Sequence, residues 1–260
     1  MTEHYLFGDT DLAAQRLEVL DEVFAASSEA FLRESAESSP RLAVDLGCGP
    51  GYTTHMLADV LECDRTVGLD SSEHFIGLAK KTATDRISFG LHDVTTAPFP
   101  VGPCDLLYAR FLLTHQRDPE GLIAEWAAQL LRGGQLLLEE VDSIHIGVSA
   151  FAEYIQIVEA MLANGGYDLY VGKTLASMSA ADGLMRRSSR VACVTVTNYL
   201  AATMFSMNIR TWKQNAFIQQ NYSPASIRQL EESLTHLAAN PTNETAIEWR
   251  LRQIVYDREK

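Results

Sequence analysis

Three aspartates stand at the ends of short apolar segments, where each could bind a polar ligand. They are Asp45, Asp70 and Asp93. A carboxylate in such a place accepts hydrogen bonds from ribose hydroxyls or from an amino group, and it attracts a cation. One such acid alone could equally be a helix cap. Three acids in register at successive segments favour one shared binding crevice.

A glycine-rich turn follows Asp45, and its residues are Gly47, Cys48, Gly49, Pro50 and Gly51. Glycines after a strand let the backbone pass close to a ligand, because no Cβ is in the way. The spacing differs from the dinucleotide pattern GxGxxG, and no Gly-Lys-Ser/Thr follows, which disfavours a phosphate loop. Because the Asp45 carboxylate would repel a pyrophosphate, the turn favours a ligand that carries an ammonium and a sulfonium.

Short buried strands that alternate with helices would position these side chains. The apolar pattern predicts a helix from Asp9 to about Glu37 and another from Thr53. It predicts strands at 42–46, 66–69, 87–91, 105–109 and 135–140. The last of these would follow a helix that stops at Arg132-Gly133-Gly134. This alternation is typical of an α/β fold with a doubly wound parallel sheet, whose binding crevice lies at the strand carboxyl ends.

The pattern becomes looser after Asp142. It predicts helices at 151–162 and 174–185 and strands at 191–197 and 247–256, with Ser71 or Ser72 as the cap of an earlier helix. A helical insertion at about 199–240 would be a substrate cap or a packing and dimerisation element. The following side chains would line an acceptor pocket or belong to the core: Phe151, Tyr154, Tyr167, Tyr170, Met204, Phe205, Met207 and Trp212.

The composition of the 260-residue chain is that of a globular protein, with 47% hydrophobic residues. A formal charge of −13 disfavours a surface that binds nucleic acid. We expect a cytoplasmic protein with no membrane partner, because no apolar run reaches membrane-spanning length and the start lacks a secretory pattern. The cysteines are too scattered for a metal cluster and are expected to be reduced: Cys48, Cys63, Cys104 and Cys193.

The ordered segments VDLGCGPG, GLDSS, HDV, DLLYARFLLTH and LLRGGQLLLEE resemble the motifs of class I S-adenosylmethionine-dependent methyltransferases. The resemblance covers about 42–142. It extends more weakly to Tyr5-Leu6-Phe7-Gly8 and Gln15-Arg16-Leu17, which look like the leader of a bacterial small-molecule subgroup. It implies a Rossmann-like sheet of seven strands, mostly parallel with the last antiparallel, in a single domain. The implied parts are an N-terminal helical leader at 1–38, a cofactor-binding core at 42–142, and a helical cap at 150–185 and 199–240.

The resemblance also implies which residues would bind S-adenosylmethionine. They are Tyr5, Arg16, Asp45, Gly47, Cys48, Gly49, Gly51, Asp70, Ser71, His92, Asp93, Val94, Ala109 and Arg110. The glycine turn would line the methionine part, Asp70 would hold the ribose, and Asp93 with Val94 would hold the adenine. Tyr5 and Arg16 would close over the carboxylate of the cofactor.

A sulfonium methyl is already a strong electrophile, so alignment of nucleophile, methyl and sulfur supplies much of the rate. A base is needed only where the acceptor must lose a proton to attack. His115 and Asp142 are the foremost candidates for a catalytic role, and each could instead orient or anchor a loop. Glu139, Glu140 and His145 are further candidates, and alternation along a strand lets at most one of the two glutamates face the crevice.

Methyl transfer to an oxygen, nitrogen or carbon of a small molecule, by a monomer or homodimer, is therefore the expected activity. The run Tyr108-Ala109-Arg110-Phe111 stands where family members that methylate adenine or glutamine amides carry Asn/Asp-Pro-Pro-Tyr/Phe, which disfavours those acceptors. Two alternatives stay open, since fold does not fix function. One is a cyclase or isomerase on the same scaffold, and the other is a regulatory protein that binds S-adenosylmethionine without turnover.

Overall fold

A seven-stranded sheet organises the part of the chain that the computed structural model describes, residues 7–37, 39–240 and 245–259. The strands are β1 (Leu42–Leu46), β2 (Arg65–Asp70), β3 (Ile87–Leu91), β4 (Cys104–Arg110), β5 (Leu130–Ile146), β6 (Leu184–Thr197) and β7 (Thr245–Arg258). Their spatial order is β3-β2-β1-β4-β5-β7-β6. The first five strands pair in parallel, and β7 runs antiparallel to both β5 and β6. The predicted mostly parallel sheet with an antiparallel last strand is confirmed.

Nine α-helices lie among the described residues. They are α1 (Asp11–Ser35), α2 (Tyr52–Val60), α3 (Glu73–Ala79), α4 (Pro119–Ala127), α5 (Ser149–Asn164), α6 (Val171–Ser177), α7 (Asn198–Trp212), α8 (Ala216–Asn221) and α9 (Pro224–Ala239). Ser72 is the residue that caps α3, since its hydroxyl accepts a hydrogen bond from the Phe75 N–H at 3.1 Å. A short 3₁₀ turn, Leu113–His115, follows β4.

Helices cover both faces of the parallel part of the sheet, as the doubly wound prediction requires. On one face α1 and α2 bury Phe31, Leu32 and Leu57 against the strands. On the other face α4 buries Ile123 and Trp126. The carboxyl ends of the parallel strands all lie at the same end of the sheet, between these two helix layers, and their polar residues meet there.

Two predictions for the middle of the chain are wrong. The glycines Gly133 and Gly134 do not end a helix, because α4 already ends at Ala127 and both glycines lie in β5. A Cβ on Gly134 would lie 2.9 Å from the carbonyl oxygens of Asp105 and Leu131, so this glycine serves a close backbone approach at an irregularity of the β4–β5 pairing.

The predicted helix at 174–185, part of the expected cap at 150–185, ends early. Helix α6 stops at Ser177, and β6 begins at Leu184 after a turn in which Gly183 adopts a φ of +78°. The Arg186 guanidinium on β6 donates to the carbonyl oxygens of Ala176 and Met178, which fixes the end of α6 against the strand. That long-range contact has no local signal in the sequence.

The helical insertion between β6 and β7 is confirmed as helices α7, α8 and α9. Helix α7 packs against α1 and α9, and together with α5 they enclose a second core beside the sheet. Within it the Tyr154 ring stacks on Phe205, with ring centroids 4.0 Å apart. Five of the eight candidates for an acceptor pocket are buried in this core, which favours the packing interpretation for them: Phe151, Tyr154, Met204, Phe205 and Trp212.

The turn between β1 and α2 depends on glycine for its backbone conformation. Gly47, Gly49 and Gly51 have φ angles of +69°, +53° and +98°, a region that side chains with a Cβ rarely adopt. A Cβ on Gly51 would also lie 2.8 Å from two ring carbons of Phe89 on β3. The turn therefore holds its shape both by backbone freedom and by close packing.

Replacing Gly51 with alanine should lower the free energy of unfolding by about 2 kcal/mol or more, because it adds left-handed strain and a clash with Phe89. The matched control is Gly77→Ala in α3, where a Cβ meets no atom within 4 Å and φ is not in the left-handed region. That change should raise stability by about 0.5–1 kcal/mol. Urea unfolding of both variants provides the measurement, and equal stabilities would contradict the packing described for the turn.

Candidate active site

Asp70 and the glycine turn meet at the carboxyl ends of β1 and β2. One carboxylate oxygen of Asp70 accepts a hydrogen bond from the Gly49 N–H at 2.9 Å, and the other accepts from the Ser72 N–H at 2.8 Å. Burial raises the pKa of Asp70, and these N–H groups oppose that shift. Each oxygen has further lone-pair capacity, so a ligand hydroxyl can be bound as well.

Asp45 lies beneath the same turn and is buried. Its carboxylate accepts hydrogen bonds from the hydroxyls of Thr53 and Thr54, at 2.6 and 2.7 Å, and both threonines belong to the first turn of α2. Burial raises the pKa of Asp45 to about 6, and the two hydroxyls and the charge of Arg110 only partly offset it. This acid thus carries a negative charge at neutral pH and loses it in mild acid.

His92 and Asp93 follow β3 in a short turn of their own. The Asp93 carboxylate accepts from the backbone N–H and the hydroxyl of Thr95, at 3.0 and 2.7 Å. The His92 Nε2 atom lies 2.8 Å from the carbonyl oxygen of Thr96. The Asp93 side chain is exposed, and its turn follows the strand that pairs directly with β2.

The remaining small residues of the predicted set lie around this edge. Val94 is buried, and its carbonyl oxygen accepts from the Trp126 indole N–H at 2.9 Å. Ala109 is buried in register with Leu46, next to the start of the glycine turn. Ser71 is exposed beside Asp70. The structure therefore brings the glycine turn and the residues after β2 and β3 to one edge of the sheet.

Arg110 is held in a buried network between the sheet and α1. Its guanidinium donates to the carboxylate of Asp21 at 2.6 Å and to the hydroxyl of Ser28 at 3.1 Å. Ser28 in turn donates to Glu139 on β5 at 2.5 Å, and the Gln253 side chain donates to the same glutamate. Arg110 and Glu139 thus fasten α1 to the sheet, and sequence reasoning gave neither residue this role.

Glu140 anchors the loop that leads to His115. Its buried carboxylate accepts from the N–H groups of Leu112 and Leu113, at 2.8 and 2.6 Å, and from the Thr114 hydroxyl at 3.2 Å. Burial raises the pKa of Glu140 to about 8. The acid is occupied by backbone donors, a role that depends on the β4–β5 pairing and that sequence spacing does not reveal.

His115 lies among aromatic and basic side chains beyond β4. Its ring centroid lies 5.5 Å from that of Phe7 and 6.5 Å from that of Tyr167, and the Arg16 guanidinium lies 5.6 Å from the Phe7 ring. Burial, followed by the charge of Arg16, lowers the pKa of His115 to about 3. The imidazole is therefore neutral at physiological pH. Tyr5, predicted to join Arg16, lies outside the described residues.

Asp142 is engaged in an ion pair with the neighbouring strand. One of its oxygens accepts from the Nε atom and a terminal nitrogen of Arg252 on β7, at 2.9 and 2.6 Å. His145, a further candidate base, is exposed on β5. These contacts favour the anchoring interpretation of Asp142.

Phe111 was not singled out from sequence, although it has an unusual backbone. It directly follows β4 with a φ of +55°, a conformation that a bulky residue adopts only under structural constraint. Its N–H donates to the Glu139 carbonyl oxygen at 2.9 Å, and its ring packs edge-on against Phe24 at 5.0 Å. The strained residue turns the chain from β4 into the loop that Glu140 holds.

Comparison with known proteins finds similarity to methyltransferases. Residues 44–138 match the methyltransferase domain family. A trans-aconitate 2-methyltransferase from Variovorax paradoxus is 36% identical over 124 residues, which are 47% of this chain and 47% of that protein. The aligned part of the chain spans about half the length of such curated relatives.

Two solved structures share the fold. A candidate methyltransferase from Bacillus halodurans superposes with a TM-score of 0.61 at 14% identity, over 90% of this chain and all of that one. A coclaurine N-methyltransferase bound to N-methylheliamine and S-adenosylhomocysteine gives a TM-score of 0.58 at 14% identity, over 92% of this chain and 74% of that one. The chain therefore has the fold of these two structures, and its residues 44–138 are similar to the methyltransferase domain family.

Proposed function

We propose that this chain transfers a methyl group from S-adenosylmethionine to a small-molecule acceptor. The observation that carries the proposal is the hydrogen bond between the Asp70 carboxylate and the Gly49 N–H of a left-handed glycine turn. It joins an acid that suits ribose hydroxyls to a backbone that a ligand can approach closely.

The acids of the site also fit this cofactor in charge. Asp45 and Asp70 place two carboxylates at neighbouring strand ends, which suits a ligand with an ammonium and a sulfonium and disfavours a pyrophosphate. We assign the methionine part to the glycine turn, including Cys48, and the ribose to Asp70 with Ser71. The adenine is assigned to His92, Asp93 and Val94.

The bound cofactor would supply an electrophilic methyl group, and the chain would supply position. Glu140 fixes the loop at 112–114, and the network of Arg110 fixes α1, so that both sides of the site are held before substrate arrives. The neutral imidazole of His115 can accept a hydrogen bond from the acceptor, but a pKa near 3 makes it a weak base. We assign Asp142 the anchoring role that its ion pair with Arg252 supports.

The acceptor is proposed to enter beside His115, under a cap formed by α7, α8 and α9. Phe7 supports this placement, because its ring lies against both His115 and the Arg16 guanidinium. The curated relatives are named for trans-aconitate, so small carboxylic acids are the first acceptors to test. Arg16 is proposed to bind the carboxylate of the cofactor, as the sequence predicted.

The setting proposed for this activity is the cytoplasm, with a small molecule and neither nucleic acid nor membrane as partner. The formal charge of −13 supports the absence of a phosphate-binding surface. None of the helices in the described ranges combines the length and apolarity needed to cross a membrane.

Replacing Asp70 with alanine should weaken binding of S-adenosylmethionine by about tenfold to a hundredfold, because charged hydrogen bonds to the ribose are lost. Calorimetric titration, after removal of co-purified cofactor, provides the measurement. The matched control is Asp59→Ala, an exposed acid on α2 that should leave the affinity unchanged. Wild-type affinity in Asp70→Ala would refute the assigned site.

Affinity for S-adenosylmethionine should fall about tenfold between pH 7 and pH 5, because protonation of Asp45 with a pKa of about 6 removes the charge that attracts the sulfonium. The sign follows from the raised pKa: the carboxylate is ionised above pH 6 and neutral below it. S-adenosylhomocysteine, which lacks the sulfonium charge, should show a smaller dependence. Equal pH profiles for the two ligands would contradict this role of Asp45.

Replacing His115 with alanine should lower kcat by about tenfold or more with little change in cofactor affinity, because the acceptor loses its proposed hydrogen bond to the imidazole. The readout is the mass of the product with a substrate found by screening, where a gain of one methyl also separates methyl transfer from an isomerisation. Asp142→Asn serves as the comparison. It should lower the thermal stability of the protein and have little effect on kcat. Equal losses of kcat and cofactor affinity in His115→Ala would make His115 structural.

A further inference from the structure

Strand β6 is the outermost strand at one edge of the sheet, and one of its two backbone edges faces away from the sheet. It has 14 residues, against five in β3 at the opposite edge, and among the described residues only β7 pairs with it. Fourteen residues extend over roughly 45 Å. The outward side therefore presents a long row of backbone N–H and C=O groups that another strand could pair with.

The features that usually protect such an edge are missing from the middle of β6. Between its two register shifts, residues 188–196 read Ser-Ser-Arg-Val-Ala-Cys-Val-Thr-Val, without proline, lysine or glycine. Natural proteins block pairing at exposed edges with prolines, charges and bulges. The one charged residue in this run, Arg190, is turned to the chain's own Gln253, at 2.9 Å, and to Glu34. The run is thus a β-prone strand with an unblocked edge.

Exposed apolar side chains concentrate at the same place. Four large apolar side chains are exposed in the described part of the chain, and three of them, Met185, Val191 and Tyr199, lie on β6 or just after it. Helix α6 packs against β7, where a Cβ on Gly172 would lie 2.8 Å from the Arg252 Cβ, and its end contacts β6 at Arg186. Further along β6, Val191 and Cys193 are exposed.

The charge at this edge is balanced, although the whole chain carries −13. Strand β6 has three arginines and no acid. Acids of neighbouring elements form ion pairs with two of them, Arg187 and Arg190. The ion pairs at this edge are Arg187 with Glu37 and Asp257, Arg190 with Glu34, Arg250 with Glu248, and Arg252 with Asp142. Two copies of an acidic chain repel least where each is locally neutral.

We propose that two copies of this chain pair antiparallel along β6 and form a dimer with one continuous sheet. A two-fold axis perpendicular to the sheet at Ala192 places Val191 of one copy opposite Cys193 of the other. It also places Arg190 opposite Val194. With this axis none of Arg186, Arg187 and Arg190 faces another arginine, so the run is complementary to itself. With this axis a second copy pairs with the backbone row from Arg187 to Thr197, which is 11 of the 14 residues of β6.

Light scattering coupled to size exclusion tests the proposal on the wild-type chain. The expected mass at micromolar concentration is twice the 28.8 kDa of one chain. The double substitution Val191→Lys and Cys193→Lys should weaken the dimer by about tenfold or more, because it places like charges opposite each other. The matched control is Leu91→Lys at the other sheet edge, where Leu91 is 50% exposed and the dimer should persist.

Hydrogen exchange on the wild-type chain gives a second readout that does not depend on any variant. Amides of 188–196 should become more protected as the concentration rises, while exposed loops stay unchanged. A mass of one chain at every concentration would overturn the proposal. So would a dimer that survives the double lysine substitution, or one that forms without added protection of β6.

Discussion

A buried carboxylate is stable only when donors satisfy it, and four such acids at one edge of the sheet decide how the surrounding elements are arranged. Asp45 takes its donors from the first turn of α2, and Asp70 takes them from the glycine turn and the cap of α3. Glu139 is bound from α1 through Ser28, and Glu140 from the loop after β4. Because each acid needs a different neighbour, together they fix the walls of the crevice.

Position separates the acids that support the site from those that can act on a ligand. Glu139, Glu140 and Asp142 are held by donors away from the glycine turn. Asp70 is only partly buried and binds the Gly49 N–H of that turn. Asp45 is buried next to the turn, so it would act on a ligand there through its charge. A cation with ribose hydroxyls is the ligand that this pair suits best. In the proposed reaction, methyl transfer would rest on alignment by a site that is already ordered.

Local patterns in the sequence were sufficient for the first three strands and for the acids that follow them, because short apolar segments and strand-end polar residues have local signals. They failed where a distant contact decides the structure. The early end of α6 depends on Arg186, and Gly134 in β5 is required by the close approach of the Asp105 carbonyl oxygen. The roles of Arg110 and Glu140 were equally hidden, since both depend on which strands become neighbours.

A crystal structure of the chain with S-adenosylhomocysteine would show whether Asp70 and the glycine turn bind the cofactor. The ribose hydroxyls should lie within hydrogen-bond distance of the Asp70 carboxylate, and the amino-acid part should follow the backbone from Gly47 to Gly51. The hydrogen bonds of Glu140 to the N–H groups of Leu112 and Leu113 should persist in the complex. A ligand bound elsewhere, or a nucleoside turned away from Asp70, would contradict the assignment of the crevice.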